Sequence, residues 1–353
     1  MLDDRESAVT HRCLLFMSAL MPLAGCSSPK GDTAQVESLA KVYVTLAGHI
    51  EDHESLTRCP KWTETRDNLL SWAEAIAPYT DTFNLQIDYP FIVTMPDCET
   101  AAHREETGGV NVLQHLQDAY GWEFDPHQEG GYEAPDASPD DYADIHWALS
   151  QAVSAPTDSV GGFVWNSQAM LDRLEAGYTD SRLHGASWMP DLLTMAVHEG
   201  HHGGNFSRDD NTSGIWHPRD ASAAGFVAHD DTQRLPYIGT GLQHSNWSGS
   251  ANCDFEHGVE YAQVLLDMAD SGVLPAHRIY TVTVAFPSSV MLDPEKYDRG
   301  LQIIEAAVAL QDAGRAQIAS CQDVLEIWRS DFDSVPNIVT YDQIDPGDYT
   351  CGG

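Results

Sequence analysis

Apolar residues recur at helical spacing through much of this chain. Val36, Leu39, Ala40, Tyr43 and Ala47 predict a helix over 34–57, and a second is expected over 63–78. Phe83 to Ile87 and Phe91 to Met95 carry strand-like residues on either side of Pro90. Residues 121–142 are rich in Gly, Pro, Asp and Glu and read as a long surface loop. Asp136, Asp140, Asp141 and Asp144 belong to that polar loop as it runs into a helix over 141–153. A short strand is expected from Ser159 to Trp165, and Asn166 opens a helix to about Tyr178. Ser187, Pro190 and Asp191 then supply a cap, a first-turn proline and a first-turn acid. Leu192, Leu193, Met195, Ala196 and Val197 follow, and Gly203-Gly204 stops the pattern, so a buried helix is expected over 187–203. After an irregular stretch from Asn205 to Asn252, Asp254–Met268 predicts a helix with Phe255, Val259, Ala262 and Leu265 on one face. A strand over 279–286 and a helical region over 294–328 complete the reading. Helices dominate with a few strands, which is an α+β, mainly helical fold.

The first residues read as a processing signal. Arg12 precedes an apolar run, Cys13 to Leu23, too short to span a bilayer and suited to a secretory core. The run closes on Leu23-Ala24-Gly25-Cys26, which resembles the bacterial lipoprotein lipobox and implies cleavage before Cys26 and acylation of its thiol. Ser27 after the cysteine favours the outer membrane, so an exported, lipid-anchored protein is expected. Residues 1–25 are then signal, 26–35 acylated cysteine and tether, and 36–353 one domain, or two packed lobes with a cleft near 187–262.

The formal charge of −36, with only four lysines, argues against nucleic acid as a partner. Export permits disulfides, and Cys59–Cys98 is the expected pair in the N-terminal half. Of Cys253, Cys321 and Cys351, two pair and one thiol is left over.

The chemistry concentrates in His198-Glu199-Gly200-His201-His202, a His-Glu-x-x-His pattern. On a helix, His198 and His202 would share one face and offer two imidazoles to Zn²⁺. Glu199 would then act as general base on a metal-bound water. A catalytic zinc takes three protein ligands, and the helix Asp254-Phe255-Glu256-His257-Gly258-Val259-Glu260-Tyr261 offers the third. Over 187–204 and 254–262 the chain resembles the gluzincin branch of the zincin-like metallopeptidases. That resemblance implies Glu256 as third ligand, with Glu260 the second choice, and a peptide or protein substrate. The metzincin pattern fails, because Asn205 and Arg208 stand where a glycine and a histidine belong.

Asp209, Asp210, His217, His229 and His244 are the other ligand candidates. Tyr261, His257, His244 and Tyr280 are the available oxyanion donors, and 159–165 could be an edge strand that pairs with a peptide. His49 and His53, four apart among acidic neighbours, read as a solvated helix face. The sequence thus predicts an exported zinc-dependent hydrolase, a peptidase foremost. An amidase and a lipoprotein that binds metal or a partner without turnover are the alternatives.

Overall fold

β1 (Val42–Ile50) is a nine-residue strand, every residue of it buried, and it organises the molecule. The structure, a computed structural model, describes residues 40–50, 56–128, 141–162, 167–196, 198–199, 212–241, 257–286 and 288–340. β1 is followed by α1 (Cys59–Ile76), β2 (Phe83–Ile87), α2 (Tyr89–Cys98), α3 (Ala101–Glu106), α4 (Val112–Tyr120) and β3 (Trp122–Pro126). Next come α5 (Tyr142–Ala152), β4 (Ser159–Gly161), α6 (Gln168–Ala176) and β5 (Leu192–Thr194). The short pieces β6 (Thr212–Ser213), β7 (Ile215–Trp216), α7 (Ala223–Phe226) and β8 (Tyr237–Ile238) lead to α8 (His257–Asp270) and β9 (Tyr280–Phe286). The chain then forms α9 (Ser288–Met291), α10 (Tyr297–Asp312), β10 (Ala316–Ile318), α11 (Cys321–Asp331) and β11 (Val339–Thr340).

Strand alternating with helix produces a parallel sheet. β1 pairs in parallel with β9 along its length, with β10 at its start and with β2 at its end. β2 pairs in parallel with β3, and β4–β5–β8 forms a second parallel set. The two sets meet at both margins. At one, Thr157 and Ser159 donate to Asp125, and the Nδ1 of His127 meets the Gly161 carbonyl. At the other, the Thr283 N–H donates to the Thr240 carbonyl at 2.9 Å and the Thr281 hydroxyl to that of Gly239 at 2.6 Å. The seven strands β1, β2, β3, β4, β5, β8 and β9 therefore close into an irregular α/β barrel. The α+β, mainly helical expectation is wrong.

Each long strand has a helix-facing side and an inner side. Val42, Val44, Leu46, Phe83, Leu85, Ile87, Trp122 and Phe124 pack outward in one core with the helices. The alternate residues point inward: Thr45, Ala47 and His49 on β1, Asn84 and Gln86 on β2, Glu123 and Asp125 on β3, and Thr283 and Ala285 on β9. The N-terminal end of the barrel is plugged by Tyr43, Leu192, Ile238 and Ile279 against Cys321, Val324, Leu325 and Trp328 of α11. A disulfide joins Cys59 at the start of α1 to Cys98 at the end of α2, as the sequence suggested, and Cys321 is a free, buried thiol.

Several expected elements differ. The helix over 34–57 is strand β1 where described, because Val, Tyr and Thr buried on both faces favour the sheet. Phe91 to Met95 lies in helix α2, where Pro90 occupies the first turn rather than breaking a strand. The expected loop 121–142 contains β3, and the final helical region is broken by β10. Segment 187–203 holds no helix among its described residues; Leu192–Thr194 is strand β5. No described helix is long and apolar enough to cross a membrane.

Candidate active site

In β/α barrels, reacting groups stand at the C-terminal ends of the strands, because the loops there leave a scaffold that is fixed below them. Three adjacent strands of this barrel end in chemistry. His49 is the penultimate residue of β1, in register with Gln86 of β2 and, through it, with Asp125 of β3. Asp88 and His127 each follow one residue after the paired ends, Ile87 and Pro126. Asp88 keeps an extended backbone (φ −79°, ψ 150°), so its side chain continues the inward alternation of Asn84 and Gln86. All three are enclosed: His49 is 2% exposed, and Asp88 and His127 are fully buried. The rings of His49 and His127 lie 4.8 Å apart, tilted by 58°. Asp88 is the residue before α2 in the N-cap position, yet its carboxylate makes no capping bond to that helix.

Two glycines seat the second histidine. Gly162 has φ +65°, and a Cβ there would lie 2.5 Å from His127 Cε1 and 2.9 Å from Gln86 Oε1. A Cβ on Gly161 would lie 2.5 Å from Gln86 Cγ and 2.8 Å from Asp125 Cβ. The bare backbone lets the His127 Nδ1 come within 3.1 Å of the Gly161 carbonyl. A carbonyl only accepts, so Nδ1 carries the proton and Nε2 is the basic nitrogen.

Beneath the histidines, Asp125 ties three strands together. It accepts from the hydroxyls of Thr157 at 2.6 Å, Ser159 and Thr194 at 3.1 Å. Burial raises its pKa above the usual carboxylate range, and bonds from Ser159, Thr157, Asn84 and Thr194 act against that rise. Gln86 donates to the Thr194 hydroxyl at 3.3 Å, completing the network. Met195, directly after β5, holds a left-handed φ of 49° and packs between Ala47 and Ala285 inside the barrel. A non-glycine residue there is strained, and such strain clusters at functional sites.

The residues favoured by the sequence fare differently. His198 is half-buried beyond the end of β5, and its Nδ1 lies 2.9 Å from the Glu199 carbonyl. Glu199 is exposed, with its N–H on the Ala221 carbonyl at 2.6 Å. His202, Glu256, Asp209, Asp210 and His244 lie outside the described residues, as do the side chains of His257 and Glu260, and so does Cys26. The loop histidines His217 and His229 meet the Gln233 carbonyl and Asp231. Tyr280 donates to the Pro275 carbonyl at the start of β9, at the wrong end of the barrel for an oxyanion donor. His49 is not on a solvated helix face but on the inner face of a strand, and His53 lies outside the described residues. Among the described residues, no three His, Cys, Asp or Glu side chains form a ready-made metal site.

Asp88 and His127 were missed altogether. The signal was present: Phe83, Leu85 and Ile87 alternate with Asn84, Gln86 and Asp88, and Trp122 and Phe124 alternate with Glu123, Asp125 and His127.

No family model matches the sequence, and no curated protein matches it. Among solved structures, one described as a probable polysaccharide deacetylase of Pseudomonas aeruginosa PAO1 shares the fold. It has 11% identity and a TM-score of 0.51, over 82% of this chain and 91% of that one. The Puue allantoinase is similar at 9% identity and a TM-score of 0.51, over 86% and 95%. At such identity the likeness establishes the fold alone: an α/β barrel of the kind found in these two proteins.

That result corrects the zincin resemblance. A gluzincin site needs His198 on a helix, and the segment before it is a barrel strand ending in a strained turn. The metallopeptidase reading and its peptide or protein substrate fall with it.

Proposed function

We propose that this chain is a hydrolase that removes acyl groups from glycans at the C-terminal mouth of the barrel. One observation carries the reading: two imidazoles and a carboxylate, His49, His127 and Asp88, are buried where three adjacent parallel strands end. They stand at the end of the barrel where catalysis resides. The substrate class is suggested by the like-folded protein described as a polysaccharide deacetylase.

Asp88, on the middle strand of the three, is the carboxylate placed to take the proton of an attacking water. His127 presents a fixed tautomer, held by the Gly161 carbonyl, and the His49 ring lies against it. The Nδ1–carbonyl bond of His127 is also the second contact that a metal-ligating histidine ordinarily makes. The donor types therefore suit a divalent ion such as Zn²⁺, which His49 and His127 would hold and which would polarise the acyl carbonyl and acidify a water. The Cys59–Cys98 disulfide and the run ending at Cys26 support an exported, lipid-anchored enzyme.

The test is acetate release from acetylated oligosaccharides, with metal content measured on the same preparation. Wild type should release acetate, and His127→Gln and Asp88→Asn should each lose at least about 100-fold, with the folded far-UV spectrum retained. Full rates in both variants, or no acetate from any acetylated glycan with wild type, would remove the proposal.

A further inference from the structure

Beside Asp88 runs an aromatic strip, Tyr89, His184 and Trp147, of which His184 and Trp147 are exposed. Tyr89, the first residue of α2, follows Asp88 directly, and its hydroxyl meets His184 Nε2 at 2.7 Å. The His184 ring lies flat on the Trp147 indole, with centroids 3.7 Å apart and planes within 20°. Trp147 in turn borders a groove of about 260 Å³ between α2 and α5, lined by Ile92, Val93, Met95, Pro96 and Gln151. Trp147 is 37% exposed and Val93 39%. Apolar and aromatic side chains lining a concave groove are a feature of ligand-binding sites.

The strip is also held in place. The backbone N–H groups of Leu183 and His184 both donate to the Asp144 carboxylate at 3.1 Å. Asp144 itself belongs to the capping box at the start of α5, three residues before Trp147. The imidazole is thus fixed over the indole by the helix that carries the indole, and little ordering is left for a ligand to impose.

We propose that this strip binds an uncharged glycan chain, holding a polymeric substrate whose acylated unit lies at His49, Asp88 and His127. The inference rests on the glycan reading above and deepens it. Charge selects the occupant. Every residue lining the groove is uncharged, while the chain as a whole carries −36. An anionic polymer is repelled by that field, and a cationic one finds no carboxylate in the groove. A sugar ring offers what remains: an apolar C–H face for aromatic and aliphatic surface, and hydroxyls at its edge for Gln151 and Tyr89. Length agrees as well. Pro96 stands eight residues after Asp88, which at about 1.5 Å per residue is roughly 12 Å along α2, more than one ring.

The test separates the strip from the catalytic site. Wild type, Trp147→Ala and Trp147→Phe are run on native gels containing glycol chitin or acetylated xylan, and assayed in parallel on a small aryl acetate. Retardation should be lost in Trp147→Ala, at least partly restored in Trp147→Phe, and unaccompanied by any change on the small ester. Equal retardation of wild type and Trp147→Ala, or none for either while the ester is cleaved, would overturn the strip and leave the hydrolase standing. A dimer abolished by Trp147→Ala in sedimentation would assign the face to a second copy and overturn it too. Trp147-dependent retardation with no hydrolysis of any acetylated substrate would overturn the catalytic reading and keep the strip as a glycan-binding surface.

Discussion

Replacing Gly162 with alanine should disarm the barrel mouth without replacing a titratable group. Two effects add. The backbone is left-handed at φ +65°, which costs an L-residue about 1–2 kcal/mol. The new methyl also meets the His127 ring, 2.5 Å from Cε1, so the ring must move and its bond to the Gly161 carbonyl is lost, about 1 kcal/mol more. Gly108→Ala separates the two, because Gly108 has φ +70° but nothing within 4 Å of an added Cβ. At about 2–4 °C per kcal/mol, Gly108→Ala should lower Tm by roughly 2–8 °C and Gly162→Ala by roughly 4–12 °C. Displacing a reacting group by about 1 Å costs on the order of 100-fold in rate, so acetate release should collapse in Gly162→Ala and persist in Gly108→Ala. Scanning calorimetry and the acetate assay on both variants decide the matter. Equal loss of Tm with equal retention of activity would refute the seating of His127 by Gly162.

Glu123 gives a pH signature. Burial above all, with Asp125 nearby, pushes its pKa from 4.5 to about 7. The folded chain keeps that proton in the interval while the unfolded chain gives it up, so stability should fall as pH rises from about 4.5 to about 7, by at most ~3 kcal/mol. Glu123→Gln should lose this slope in urea midpoints compared at about pH 5 and about pH 8, and an unchanged slope would contradict it. Removing the Cys59–Cys98 link, whose partners stand 39 residues apart, should cost roughly 2–4 kcal/mol, read from the urea midpoint of the double alanine variant. Asp125→Ala leaves the hydroxyls of Thr157, Ser159 and Thr194 without their shared acceptor. It should destabilise by about 3 kcal/mol, whereas a loss under about 1 kcal/mol would mean that water takes over the role.

Much of the helical scaffold was legible. α1, α5, α6 and α8 lie where periodicity and capping residues put them, because each has one buried stripe. The strand at Phe83–Ile87 was found for the same kind of reason, and so was most of β9. The barrel was hidden by β1. The inner face of β1 mixes Tyr43 and Ala47 with Thr45 and His49, so apolar and polar residues do not alternate cleanly along it, and Leu39, Tyr43 and Ala47 happen to fall on a helical period. β5 is too short to declare itself: three residues, after a proline and an acid that suit a helix start equally well. The site went unread because its members are single residues on separate strands, His49, Asp88 and His127, brought together only by the register of the sheet. A compact motif such as His198 to His202 is visible in one dimension, whereas a barrel mouth is not.

The order of strands around the barrel has a consequence for biogenesis. Thr45 of β1 shares a hydrogen bond with Thr283 of β9 across 238 residues of chain, so β1 is completed by a strand made much later. Long-range parallel pairing of this kind forms slowly, since the intervening chain must be gathered first. For a polypeptide threaded through a membrane from its N-terminus, as the Cys26 reading would require, that delay is useful. On that reading β1 would not complete its pairing with β9 while β9 was still on the other side, and the chain would stay extensible until passage was nearly done.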